Sequence, residues 1–349
     1  MKTFEPDYRH IVDAARNIKA RRLPLYEHLI STHQMEKVLG VVFADQIQGD
    51  MADKQAFFRS YCDFFLRLGY DTVSFECCIG PVMPGSGALG SHVAGVIKTR
   101  ADFDRYPWAE IPERFWAAYR DQFDALAAVM PAGMKAIGGP GNGIFECVQD
   151  ITGFEELCYI KADDPELYAD LFRQVGETNG RIWQQFLDRY SDLYCVMRFG
   201  DDLGFKSTTL LSAEDIREHI VPAYKQIIDR VHARGKPFLL HSCGNIFNVM
   251  EDLIQTAGID AKHSNEDQIA PFPVWAAAYG DRIGNFGGID TDAVCRLDRV
   301  GLQEYIHAVL AACENKGGIA FGSGNSIPDY VPLEGYLNMV DIVRRWRGE

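Results

Sequence analysis

An α/β barrel of parallel strands is the fold this sequence predicts, and three observations carry it. Short apolar strands alternate with helical segments along the whole chain, the strands number eight, and nearly every one ends in a loop bearing glycine or ionisable residues. A length of 349 residues suits one (β/α)8 TIM barrel with N-terminal helices and a long loop after the second strand. With no internal repeat, low-complexity segment or linker in view, residues 1–349 read as a single domain.

The first predicted strand, residues 23–28, exits at Glu27 and His28. A helix over 54–68 follows, with Asp53 as N-cap, Phe57, Tyr61, Phe65 and Leu68 at helical spacing, and Gly69 beyond its end. It feeds a second strand, 72–75, which leaves at Glu76, Cys77 and Cys78. The stretch 78–105 is too long for a simple connection and reads as an active-site loop or lid. Strand three, 134–137, runs into Gly138, Gly139, Pro140 and Gly141, backbone that a ligand can approach closely. Asp164 and Pro165 open the next helix, which continues towards Tyr190. Strand four, 193–199, exits at Gly200, Asp201 and Asp202. Ser212 caps the segment 213–234, where the interior Pro222 should kink or divide the helix.

Strand five lies in 237–244, an apolar run that stops abruptly at His241, Ser242, Cys243 and Gly244. After a helix around 246–256, strand six, 259–262, exits at His263, Ser264, Asn265 and Glu266. Strand seven, 283–286, exits at Gly287, Gly288, Ile289 and Asp290, and strand eight, 318–321, at Gly322, Ser323 and Gly324. A helix over 333–347 follows.

In a parallel barrel these exits gather at one mouth, so residues far apart in sequence share a cavity. His241 and Cys243, two apart at a strand exit, project to the same side. Imidazole and thiolate are ligands that zinc prefers, which makes the pair a candidate metal site; the structural alternative is a buried cysteine beside a histidine bonded to a carbonyl. Asp201 and Asp202 are candidate catalytic or substrate-binding carboxylates, one of which could instead cap a loop or orient a ligand histidine. Further substrate-contact candidates are His28, at the rim, Asn265, Asp290, Ser323 and Asn325, whereas His263 reads as a satisfied core histidine.

The balance of 35 basic and 49 acidic residues, net −14, argues against nucleic acid or an anionic membrane as partner. No apolar leader and no run of transmembrane length are evident, and nine cysteines without regular spacing argue against a disulfide framework. A cytoplasmic location is expected.

The motifs Phe199-Gly200-Asp201-Asp202-Leu203-Gly204, Leu211-Ser212-Ala213-Glu214-Asp215, His241-Ser242-Cys243-Gly244-Asn245, Phe286-Gly287-Gly288-Ile289-Asp290 and the glycine-rich stretch 321–328 resemble the uroporphyrinogen decarboxylase superfamily. The resemblance is strongest over 193–346 and closest to the branch of zinc-dependent, corrinoid-linked methyltransferases. It implies a barrel, monomeric or homodimeric, that moves a methyl group between a small-molecule donor or acceptor and a corrinoid carried by a partner protein. It also implies zinc held by His-x-Cys, here His241 and Cys243, with a later cysteine whose position Ser323 occupies. Serine is a poor zinc ligand, so Glu76 is expected as the third ligand and as a catalytic residue, with Cys77 as runner-up and Cys78 in packing. Two alternatives are a cofactor-free lyase related to the decarboxylase and a binding barrel without catalysis. The first lacks the arginine-rich segment after the first strand that would hold substrate carboxylates.

Overall fold

Seven of the expected strands form, and they pair in chain order into one curled parallel sheet: β1 Thr72–Cys78, β2 Lys135–Gly141, β3 Tyr194–Gly200, β4 Phe238–His241, β5 Ala261–His263, β6 Gly284–Ile289 and β7 Ile319–Ser323. The computed structural model describes residues 4–90 and 93–349. Each strand is short and buried on both faces, as helix-covered parallel sheets require.

The inner face carries Tyr26, Ile137, Val196, Leu239, Ala261, Phe286 and Ala320, a cluster closed at one end by Ile11, Ala14 and Ala15 of the helix Arg9–Ala15. Gly284 and Gly318 admit this plug, because a Cβ at either would meet the carbonyl oxygen of Ala14 at 2.4 and 2.3 Å. The larger cluster lies between the outer face and the surrounding helices.

The helices follow their end signals. Met51–Arg67 starts one turn earlier than the sequence suggests, with Asp50 as N-cap and Asp53 completing a capping box as its third residue. Asp164 caps Pro165–Tyr190 through the amide of Leu167 at 2.9 Å. The segment after Ser212 divides as expected: a π-helical turn, Ile216–Ile220, precedes Pro222, which sits in the first turn of Val221–Ala233.

The eighth strand is where expectation and structure part. Residues 23–28 make one isolated bridge, Leu25 to Phe321 of β7, and just beyond them Ile30 bridges Ile327, past the end of β7. Pro24 has no N–H to give to a second neighbour. Among the described residues no ladder joins this segment to β1, and side chains span the seam instead. Ser74 Oγ donates to the His28 carbonyl at 2.7 Å. Arg198, fully buried, donates from Nη1 to Tyr26 Oη (2.8 Å), His28 O (3.1 Å) and Ser74 Oγ (2.6 Å), and from Nε and Nη2 to Glu76 Oε2 (3.0 and 2.7 Å).

The expected lid is tethered over much of its length. The amides of Val96 and Ile97 donate to Ile151 O, and those of Gly87 and Leu89 to Asp150 Oδ1, pinning the stretch to the helix Ile144–Thr152. Positions 91–92 of that stretch lie outside the described residues. No helix among those described is long and apolar enough to cross a membrane.

Candidate metal centre

Register brings the key residues together. Gly200 pairs with His241 and His241 with His263, so the two imidazoles stand side by side on the inner face, with no side chain at Gly200 to crowd them. Their hydrogen bonds fix the tautomers. The Ser323 carbonyl can only accept, so His263 Nε2, 3.0 Å away, carries a hydrogen. Neutral His263 then offers a lone pair at Nδ1, to which His241 Nδ1 donates at 2.7 Å. That leaves His241 Nε2 as a free lone pair. Burial keeps both rings neutral: it pushes His263 down to about 3, and it drives His241 well below the ordinary histidine range, with His263 adding to the effect.

Cys243 Sγ lies 3.5 Å from that lone pair, and Asp202 Oδ1 lies 3.8 Å from it. Asp202 is fixed by the amide of Cys243, which donates to Oδ1 at 2.8 Å. Around a tetrahedral zinc, nitrogen and sulfur would stand about 3.6 Å apart and nitrogen and oxygen about 3.4 Å. The three donors therefore fit such an ion with small adjustments of the half-exposed Asp202 side chain. Burial, with Asp202 beside it, pushes the Cys243 thiol up, so a thiolate here needs a cation for company. Asn325 Nδ2 at 3.4 Å and Ser264 Oγ at 3.6 Å both donate towards the sulfur.

A second group, His28, His241 and His263, also converges. His28 stacks on His241 with ring centres 3.7 Å apart and planes 4° from parallel. Imidazole lone pairs lie in the ring plane, so two parallel rings cannot both aim at one ion. The trio packs and orients; it does not form a metal cage.

The expected third ligand is otherwise engaged. Glu76 faces inward but is the ion-pair partner of Arg198, and among the described residues it joins neither convergent group, whereas Asp202 lies beside His241 and Cys243. The adjacent cysteines exchange places too. β1 runs on to Cys78, so alternation puts Cys78 on the Glu76 face and turns Cys77 towards Gln122. Asp201 is fully buried and accepts from the amides of Ile144, Phe145 and Glu146 (2.8, 3.0 and 2.8 Å) and from Tyr224 Oη (2.5 Å), which makes it the cap of the helix Ile144–Thr152 rather than a free catalytic group.

Asp290, expected at substrate, is occupied with backbone, and so is the Oδ1 of Asn265, whose buried Nδ2 is left without a partner. Asn265 Oδ1 accepts from Gly288 N at 2.9 Å, while Asp290 accepts from Asp292 N and Asp267 N at 2.7 and 2.6 Å. His28 is buried beneath the mouth rather than placed at its rim. His263 is the satisfied histidine the sequence suggests.

Ser323 is equally engaged. Its hydroxyl reaches both a Glu27 carboxyl oxygen and the Asn325 carbonyl. The Ser323 amide also donates to Glu27 at 3.1 and 3.3 Å, as does Tyr70 Oη at 3.4 Å; because a serine has one proton to give and the carbonyl cannot donate, both hydroxyl bonds form together when Glu27 is protonated and donates to Ser323 Oγ. Burial agrees, pushing Glu27 up to about 8.

Sequence reasoning passed over Arg198 and Glu146. A lone arginine in the run Tyr-Cys-Val-Met-Arg-Phe-Gly was a legible signal of an inward ion pair. Glu146 carried none. It binds Asn142 Nδ2 (2.8 Å) and the Asp202 amide (3.3 Å), and burial, with Asp201 and Asp202 nearby, holds it well above the usual carboxylate range.

With the geometry in place, comparison with known proteins is informative. The sequence profile of the family described as Uroporphyrinogen decarboxylase (URO-D) matches residues 86–346. A methyltransferase from Methanosarcina mazei superposes with a TM-score of 0.72 at 12% identity, covering 98% of this chain and 99% of its own. The putative vitamin-B12 independent methionine synthase from Listeria monocytogenes superposes with a TM-score of 0.54, also at 12% identity, over 95% of this chain and 98% of its own. At such identities both likenesses show the fold. No curated protein sequence matches.

Proposed function

Because the chain belongs to the uroporphyrinogen decarboxylase (URO-D) family, we propose that it is a zinc-dependent methyltransferase, one that exchanges a methyl group between a small methylated substrate and a corrinoid carried by a separate protein. The observation that carries this reading is the convergence of Asp202, His241 and Cys243, with the His263–Ser323 relay leaving His241 Nε2 free to bind. The methyltransferase fold of the Methanosarcina mazei protein supports it.

Zinc bound by these three residues would act as a Lewis acid at an open fourth position. His241 supplies nitrogen, Cys243 sulfur and Asp202 oxygen. One thiolate instead of two leaves more positive charge to polarise a substrate oxygen, so a methyl ether or an alcohol is favoured over a thiol. Asn325 and Ser264 steady the sulfur from outside, and His28 fixes the plane of His241. The lyase alternative gains no support from Arg198, the inward cation, because Glu76, Tyr26 and Ser74 occupy its donors.

Elemental analysis of protein purified without chelator tests the reading, together with the visible spectrum of a methylated corrinoid mixed with it. About one zinc per chain, lost in Cys243→Ala, is expected. Protein that binds no zinc even after reconstitution would remove the proposal's support.

A further inference from the structure

At the opposite end of the sheet from His241, a cavity of about 440 Å³ opens between residues 19–24, the start of β7 and the last turn of the helix Leu333–Trp346. Five cations border it, Lys19, Arg21, Arg22, Lys316 and Arg347, against the two carboxylates Glu314 and Glu349. In a chain of net charge −14 such a local excess is out of character.

Partners already present account for part of it: Arg22 pairs with Asp71, Lys316 with Asp281 at 3.0 Å and Arg347 with Glu349 at 2.8 Å. Pairs of this kind at the base of a barrel serve stability. What remains does not. Lys19 gives its ammonium only to the Glu314 carbonyl, at 2.9 Å, and Arg21 is exposed without an ion pair among the described residues. The Nε atoms of Arg22 and Arg347 are buried with no hydrogen-bond partner, although the Arg347 side chain is only 2% exposed. Buried donors are rarely left so. The wall between the cations is apolar, built from Leu23, Ile319 and Phe321, and the Trp346 indole stands 42% exposed beside it.

We propose that this cavity is a second ligand site, distinct from the metal centre, which takes a ring-bearing phosphate of about mononucleotide size. The cavity lies within the range of roughly 300–1,000 Å³ that small-molecule sites occupy. Guanidinium and ammonium groups that approach from several directions suit a tetrahedral dianion better than a planar carboxylate. The ring lies against Trp346, whose exposed indole it removes from water.

Calorimetric titration of the full chain with adenosine monophosphate, inorganic phosphate and benzoate tests this. Saturable one-to-one binding of the nucleotide is expected, tighter than that of inorganic phosphate, and weakened at least about tenfold, or roughly 1.4 kcal/mol, by Arg21→Glu. Lys19→Glu should act in the same direction. Both residues are exposed, so the fold persists, and circular dichroism verifies it. Trp346→Ala should narrow the gap between nucleotide and phosphate, while Cys243→Ala leaves nucleotide binding intact. No saturable binding of the nucleotide, or binding indifferent to both charge reversals, overturns the proposal. Equal affinity for nucleotide and phosphate overturns the ring, and tighter binding of benzoate overturns the phosphate head.

Discussion

Glu27→Gln is the substitution whose effect the structure fixes most closely. Glu27 is 1% exposed and hydrogen-bonded to Ser323 through both hydroxyl and amide, and burial moves it from an ordinary 4.5 up to about 8. The unfolded chain gives up that proton near pH 4.5 while the folded chain keeps it until about pH 8. In this window the unfolded state binds fewer protons, so stability falls as pH rises and the loss is complete above the folded value. At about 1.4 kcal/mol per pH unit, ionising Glu27 in place costs up to about 5 kcal/mol. Glutamine keeps the shape, donates to Ser323 Oγ in place of the acid and does not titrate. Urea unfolding of both proteins at intervals from pH 4.5 to 9 should show the wild type losing several kcal/mol relative to the variant. Asp201, raised by burial to about 6, titrates in the same direction but equally in both proteins, so it cancels in the difference. Two stability curves that run parallel across the window would refute a protonated Glu27.

Cys243→Ala should fold normally and lose bound zinc and methyl transfer, as read by elemental analysis and turnover; a fully active variant would contradict the metal centre. Asp202→Asn should weaken zinc by more than the roughly 10–100-fold typical of an outer partner, measured by competition with a chromogenic chelator, because an amide oxygen is a poorer ligand than a carboxylate. Glu76→Ala should leave zinc affinity nearly unchanged but strand the buried Arg198 and destabilise the fold by about 3–5 kcal/mol in urea; zinc loss without destabilisation would restore Glu76 as a ligand. His263→Ala frees the His241 tautomer and should weaken zinc by about 10–100-fold while the other ligands remain, which the same chelator competition reads.

Much of the architecture was legible because strand length, helix caps and glycine stops are local. Pro222 divides its helix where it should, and His241 and Cys243 meet because two residues at a strand exit share a side. Less was legible where a side chain's partners come from a strand not adjacent in sequence. Facing inward qualified Glu76 as a ligand, but Arg198, 122 residues on, claims it. Ending the second strand at Phe75 hid the alternation that separates Cys77 from Cys78. Asp201 and Asp202 were indistinguishable as neighbours in a loop; one turns to the amides of the helix Ile144–Thr152 and the other to Cys243.

The seam spanned by Arg198 bears on how the molecule moves. Backbone ladders share load over many bonds, whereas between residues 23–28 and β1 the described contacts pass through a few side chains gathered on one guanidinium. That is where the wall is thinnest in bonds, so thermal opening should start there and amide exchange should be fastest there relative to burial. The His28 carbonyl is one of the seam's anchors, and the His28 ring lies flat on His241. A gape of the wall would thus slide one imidazole over the other, which would carry the motion into the candidate metal centre.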